Sequence, residues 1–294
     1  MSRYRANAKI NLWLRVEGRR ADGFHDIETV FRSVGLADEL AFDVLPEEID
    51  VVMSYQGAGR EDIPLGDNLV YCAATALRDH AGTRYGARIE VTKHIPSGAG
   101  LAGGSADAAA AFVALNEAWS TGLKEDRLMR LAADNGSDTP FCVRGGVAVG
   151  RGRGEDLAFI EGLPELSLVI ATSHGSLSTR DVYERCSPGP PDPAGADQMV
   201  AALERGNPEE IAGLLRNDLE PAAFALRPEL RGHKAEVLDA GALGALVSGS
   251  GPTLFGLCRD DDHATTVAGR CRDSGKFAGV VSTRTRPSCV ERID

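Results

Sequence analysis

The segment Pro96-Ser97-Gly98-Ala99-Gly100-Leu101-Ala102-Gly103-Gly104-Ser105 holds the residue types and spacing in this chain best suited to chemistry. It follows an alternating stretch at residues 88–95 that reads as a strand. It precedes an alanine-rich stretch at 106–119 that reads as a helix, with Ser105 as its cap. A strand, a glycine loop and a helix start together make an anion site. Loop amides without obstructing side chains converge on the ligand, and the helix N-terminus adds about half a positive charge. Three readings compete. The spacing formally satisfies G-x-G-x-x-G, the dinucleotide pattern, but the preceding strand is half-polar where a buried parallel strand should be apolar on both faces. A triphosphatase loop needs Gly-Lys-Ser/Thr at its end, and here Gly103 is followed by Gly104-Ser105. The third reading is that the glycines only let the chain turn.

A phosphate cradle needs partners. Period two over residues 8–17 puts Lys9 and Asn11 on one strand face, opposite Ile10, Leu12 and Leu14. That polar pair faces either water or a site. Asp138 lies in Gly136-Ser137-Asp138-Thr139-Pro140, either as an ordinary turn aspartate or as the acceptor for a hydroxyl proton. If Lys9 sat about 4 Å away, the attraction would be on the order of 4 kcal/mol at an effective dielectric of about 20. Ser105 could serve as a cap or reach a phosphate oxygen or Mg²⁺. Asn68, at the start of an expected helix at 68–80, has the same double reading of cap or nucleotide contact. The six cysteines are scattered without a C-x-x-C and read as reduced structural thiols, and no histidine spacing suggests a metal site.

These residues resemble a family. Pro96-x-x-x-Gly100-Leu101-x-Gly103-Gly104-Ser105-Ala106 is similar to the phosphate loop of the GHMP kinases, which phosphorylate small molecules without a Walker sequence. Ala8-Lys9-Ile10-Asn11-Leu12-x-Leu14 with Arg20-x-Asp22-Gly23-Phe24-His25, then Gly136 to Phe141, resembles the branch acting on a cytidine diphosphate alcohol in non-mevalonate isoprenoid precursor synthesis. Val247-Ser248-Gly249-Ser250-Gly251-Pro252-Thr253 resembles the third family motif. The resemblance implies ATP and Mg²⁺ as cofactors, and Lys9 and Asp138 as the catalytic pair. It further implies ATP contacts from Asn68, Pro96, Gly98, Ala99, Gly100, Leu101, Ala102, Gly103, Gly104 and Ser105. Substrate contacts would come from Asn11, Phe24, His25, Thr179, Tyr183, Ser248 and Gly249, with Phe24 and Tyr183 sandwiching the cytosine and His25 bonding its polar edge. Lys93 would add a local cation. A GHMP-type kinase for another small alcohol, such as homoserine, mevalonate or a sugar, is the runner-up. It leaves Asp22-Gly23-Phe24-His25 without a role. The chain departs from the family pattern at Ala102 and Ala106, expected to tighten the loop and to remove a hydroxyl near the phosphates. Ser173-His174-Gly175 lacks a frequent Pro-Gly.

The elements that must position these groups follow from periodicity and turn chemistry. Strands are expected at 8–17 and 27–34 as a hairpin around Asp22-Gly23, and further strands at 88–95, 141–149, 167–171, 243–247, 253–258 and 278–285. Helices are expected at 68–80, 106–119, 125–134, 197–204, 208–215, 228–240 and 261–274, with a proline-dense loop at 188–193. Mixed but not alternating elements favour an α+β fold. The 294 residues divide into 1–162, with the glycine loop, and 163–294. The family resemblance implies a ribosomal protein S5 domain 2-like first domain and a ferredoxin-like second. With 43 acidic against 32 basic residues the net charge is -11, which disfavours nucleic acid and anionic membranes as partners. No apolar run suits a membrane span or secretory signal, so a cytoplasmic protein, monomeric or weakly dimeric, is expected.

Overall fold

The structure, a computed structural model, describes residues 1–56, 63–189 and 192–294. Residues 190 and 191 of the expected proline-dense loop lie outside the described residues.

Strands β1 (Ser2–Arg19) and β2 (His25–Leu45) form a long antiparallel hairpin, extending both predicted strands in each direction. Its turn uses Gly23 at φ +89°, where glycine meets no steric penalty. After β3 (Ile49–Tyr55), which alternation in the sequence did not mark, and a 3₁₀ turn at Leu65–Asp67, come α1 (Leu69–Ala81), β4 (Gly86–Lys93) and α2 (Gly103–Ala118). Then follow α3 (Glu125–Asn135), α4 (Thr139–Arg144), β5 (Val147–Arg151) and β6 (Asp156–Phe159). The predicted strand at 141–149 is therefore corrected to a short helix and a strand. Pro140 sits in a first turn where its missing N–H costs nothing, and Gly145 and Gly146, both at φ +78°, break the helix and turn the chain into β5.

The rest of the chain supplies β7 (Ser167–Thr172), α5 (Thr179–Arg185), α6 (Asp197–Arg205), α7 (Pro208–Gly213), β8 (Arg216–Asn217), α8 (Glu220–Leu226) and α9 (Glu229–Asp239). It closes with β9 (Gly244–Val247), β10 (Leu254–Cys258), α10 (Asp261–Asp273), β11 (Gly279–Arg284) and β12 (Val290–Arg292). Among the described residues two sheets form. The first runs β12-β1-β2-β4-β3, with β5, β6 and β8 attached. The second is antiparallel, in the order β11-β7-β10-β9. Strands β7, β9, β10 and β11 with helices α9 and α10 follow the split β-α-β-β-α-β arrangement of ferredoxin-like domains. The expected 162/163 division falls in the loop between β6 and β7, while β12 returns to pair with β1.

Burial explains how the two parts hold one another. One core packs α1, α2 and α4 on the first sheet around Phe31, Phe112 and Phe141; the run of small alanines in α2 lets that helix lie close. A second core joins Ile10 and Leu12 of β1 to Leu168, Ile170, Leu246 and Phe255 of the other sheet, so the strand carrying Lys9 is fixed from both parts. Strand β8 lies parallel to β1, pairing Asn217 with Leu14. The Asn217 side-chain amide donates to the carbonyls of Val247 and Gly249, at 2.8 Å each, and its oxygen accepts from the Leu219 amide at 2.9 Å. Asn217→Ala should lower unfolding stability in urea by about 1–3 kcal/mol, because two buried carbonyls lose their donor.

Candidate active site

The glycine loop is held by its carbonyls. The Gly98 oxygen accepts from the Leu177 amide (3.5 Å), the Ala99 oxygen from Thr253 (3.3 Å) and the Leu101 oxygen from Lys9 (3.1 Å). The Gly100 oxygen accepts from the Ser248 hydroxyl at 2.9 Å. Four successive carbonyls thus point into protein. Among the described residues, the amides of 98–105 donate to no protein group. An array of unpaired amides at the start of the long helix α2 is a binding site for anionic oxygens.

Backbone shape makes this arrangement demanding. Gly98 and Gly100 have φ of +61° and +76°. A Cβ on Gly100 would lie 2.1 Å from the Ser248 oxygen and 2.9 Å from the Gly251 nitrogen, so the loop and the second glycine turn touch backbone to backbone. Helix α2 starts three residues earlier than predicted: Ala102, at φ +55°, precedes it and Ser105 makes no capping bond. Left-handed backbone costs an alanine roughly 1–2 kcal/mol, so the departure at Ala102 strains the loop. Ser105 is consequently free of the cap role, and its hydroxyl bonds nothing among the described residues while lining the cleft. Ala106 corrects another expectation. It is wholly buried in the α2 core, so no hydroxyl is missing from the cradle at that position.

Beneath the loop, Lys9 Nζ lies 3.2 Å from Asp138 Oδ2 and donates to Asn11 Oδ1 at 2.9 Å. Asn11 in turn donates to Thr29 Oγ1 at 2.8 Å, and Thr29 to the Trp13 carbonyl at 2.8 Å. Lys9 is 5% exposed against 32% for Asp138, so the ammonium is fixed inside and the carboxylate faces the cleft. Thr29 and Asn217 are working parts that sequence reasoning missed. Only the β1–β2 register and the position of β8 bring them here.

The cleft measures about 1030 Å³ and runs from Asn68 past the loop and Asp138 to Phe24, His25, Thr179 and Tyr183. Asn68 caps α1 by accepting from Val70 at 2.9 Å and also borders the cleft, so both of its readings coexist. Phe24 is half exposed, with Arg153 over its ring at 5.0 Å. His25 lies stacked on Tyr183, ring centroids 5.2 Å apart, instead of standing only at a base edge. Thr179 is coupled to Ser250 through hydroxyls 2.9 Å apart. Pro96, Ala99, Gly103, Gly104 and Gly249 also border the cleft.

Two expectations need correction. Ser248 is fully buried and, among the described residues, bonds Gly100 instead of lining the cleft; the turn lends Gly249 and Ser250 to the wall. The Leu101 side chain is turned into the shared core, which leaves its backbone amide as the part of this residue that faces a loop ligand. Lys93 is no free cation. It bridges the carboxylates of Asp38 and Asp107, the latter at 2.6 Å. Burial pulls the Lys93 ammonium down, but the two carboxylates outweigh it and raise it overall; burial drives the Asp107 carboxyl well above the usual range. His80, His94 and His174 are exposed, whereas His263 and His233 are partly buried, the latter against Ser173. All six cysteines are free thiols. Among the described residues no cluster of metal-binding side chains occurs, and no helix is long and apolar enough to cross a membrane.

The sequence profile of the GHMP kinases N terminal domain matches residues 68–146, and that of the GHMP kinases C terminal domain matches 199–276. The chain belongs to this family of small-molecule kinases, and full-length similarity places it among the 4-diphosphocytidyl-2-C-methyl-D-erythritol kinases. It is 46% identical to the 4-diphosphocytidyl-2-C-methyl-D-erythritol kinase of Pelotomaculum thermopropionicum over 95% of this chain and 96% of that one. The corresponding kinase of Moorella thermoacetica is 41% identical over 95% and 97%. A crystal structure of 4-(cytidine 5'-diphospho)-2C-methyl-D-erythritol kinase superposes with a TM-score of 0.79 at 34% identity, covering 96% and 98%. Homoserine kinase from Cytophaga hutchinsonii shares the fold, with a TM-score of 0.77 at 21% identity over 99% and 97%.

Two substitutions separate the roles of the loop residues. Gly100→Ala should abolish measurable nucleotide binding in a titration, because its Cβ cannot fit against Ser248. Ala102→Gly should leave binding intact and raise unfolding stability by up to about 1 kcal/mol, the relieved strain less the added freedom of the unfolded chain.

Proposed function

We propose that the chain transfers the γ-phosphoryl group of ATP to the 2-hydroxyl of 4-diphosphocytidyl-2-C-methyl-D-erythritol, giving the 2-phosphate and ADP in non-mevalonate isoprenoid precursor synthesis. The observation that carries this reading is the Lys9–Asp138 pair, 3.2 Å apart, in the same cleft as a loop whose amides are all unspent. In this reading residues 1–162 contribute the ATP loop and 163–294 close the other wall.

Phosphoryl transfer passes through a largely loose transition state, so positioning and charge stabilisation dominate. The amides of 98–105 bind the phosphates, and Asn68 borders the adenine. Asp138 accepts a hydrogen bond from the acceptor hydroxyl and takes its proton late, as bonding to phosphorus makes that proton acidic. Lys9, immobilised by Asn11, holds Asp138 in place and counters charge developing on the transferred oxygens. Phe24, Tyr183 and His25 receive the cytosine, with Thr179 and Gly249 along its path. Stacking of a base contributes about 1–3 kcal/mol.

The donor set fits Mg²⁺. Ser105 offers an unengaged hydroxyl and Asp138 a carboxylate, both oxygen donors in the cleft, which suits an ion held mainly by phosphates and water. When bound, the ion neutralises phosphate charge. Work in the cytoplasm as a monomer or weak dimer completes the reading.

ADP release measured with ATP, Mg²⁺ and a panel of alcohols tests it. Turnover should appear with the cytidyl alcohol; turnover only with homoserine, mevalonate or a sugar would transfer the assignment to that substrate. Asp138→Asn should reduce kcat about 10²–10⁴-fold with little change in the KM for ATP. Burial, then the charge of Arg19, holds the His25 imidazole below its ordinary value of 6.5. At any given pH the ring therefore carries less charge than a free imidazole and takes up its proton at lower pH. As pH falls, the KM for the cytidyl substrate should rise with its midpoint below 6.5, by steady-state kinetics.

A further inference from the structure

The stretch that lacks the family's Pro-Gly, residues 173–178 between β7 and α5, lies directly against the phosphate loop. The Leu177 amide donates to the Gly98 oxygen at 3.5 Å, and a Cβ on Gly98 would sit 2.8 Å from Ser176 Cβ. Proline would have limited this strap's freedom from within. Here, among the described residues, the only hydrogen bonds to the backbone of 174–176 come from one side chain. Arg227, which follows α8, donates to the His174 carbonyl at 2.7 Å and to the Ser176 carbonyl at 3.5 Å, while its Nε pairs with Glu229. Gly175, at φ +74°, has the guanidinium so close that a Cβ would lie 3.3 Å from its Nη1.

We propose that Arg227 is a positioning residue for nucleotide binding, pressing the 174–177 strap onto Gly98 and thereby fixing the entrance of the phosphate cradle. The inference rests on the kinase reading for the identity of the nucleotide. Arg227 does not border the cleft itself, so it acts through the strap. A planar guanidinium fixed by a carboxylate on one edge presents its remaining donors in a set direction, which an ammonium on a flexible stem does less well. The substrate end of the strap has its own anchors: Ser178 caps α5 through the Asp181 amide at 3.3 Å, and Thr179 is tied to Ser250. Loosening the strap should therefore reach Gly98 before it reaches Thr179.

The test compares wild type with Arg227→Ala and Arg227→Lys. In Arg227→Ala the KM for ATP and the dissociation constant for ADP should rise about five- to tenfold, while kcat and the KM for the cytidyl alcohol stay within about twofold. Arg227→Lys should recover only part of that loss, since one ammonium cannot hold both carbonyls and Glu229 in the same fixed directions. Amide hydrogen exchange at Leu177, measured without nucleotide, should accelerate in the alanine variant. Arg227→Gln, which keeps the bulk and a donor, takes its place if the alanine variant does not fold. An unchanged KM for ATP, or both KM values rising together with a lower Tm, would overturn the proposal, the second outcome marking general loosening. Absence of ADP release from the wild type with every alcohol would remove the kinase reading instead. The Leu177 exchange rate would still decide whether Arg227 holds the strap.

Discussion

The phosphate loop and the turn at 248–251 meet so closely that no side chain fits between them, and the rest of the site depends on that contact. Gly100 touches the Ser248 carbonyl and the Gly251 nitrogen with its own backbone, and the Ser248 hydroxyl ties the Gly100 oxygen down. With the neighbouring carbonyls bonded by Leu177, Thr253 and Lys9, the peptide planes are turned so that their amides face the cleft. The partners come from the strap before α5, the second sheet and β1. This arrangement of the loop is a product of both halves of the chain, held together through the shared core around Ile10, Leu12 and Phe255.

This arrangement resolves how a chain of charge -11 receives anionic ligands. The buried cations at the floor of the cleft are already bonded. Lys93 is committed to Asp38 and Asp107, joining β4 to β2 and α2 under the loop, and Lys9 to Asp138 and Asn11. Attraction at the loop is left to oriented amides and the α2 terminus, which act over short range and leave the acidic surface untouched. The Lys9 contact at Asp138 Oδ2 leaves the rest of that carboxylate facing the cleft.

Much of this was legible in the residues. Alternation marked β1 and placed Lys9 and Asn11 on one face; glycine spacing marked both turns; Asp22-Gly23 marked the hairpin that carries Phe24 and His25. Local rules failed where tertiary contacts overrode them. Ser105 is a good cap by type, but close packing of Gly103 on Ile95 and Lys93 accompanies a helix that begins at residue 103, leaving its hydroxyl to the cleft. Ser248 belongs to a motif that borders the site, yet its hydroxyl is used on Gly100. Nothing near Asn217 or Thr29 in sequence announces a role, because each acquires its partners across strand pairings formed by distant residues.

By itself the sequence determined the class of chemistry, since glycine spacing, a capped helix pattern and a lysine and aspartate of suitable type are local properties of the chain. The tertiary structure decided which atoms are available for that chemistry. Hydrogen-bonding capacity is exclusive: a carbonyl, hydroxyl or ammonium bonded inside the protein is withdrawn from the ligand. Only the packing of β1, β8, the strap and the second glycine turn determines which groups are withdrawn and which still face the cleft.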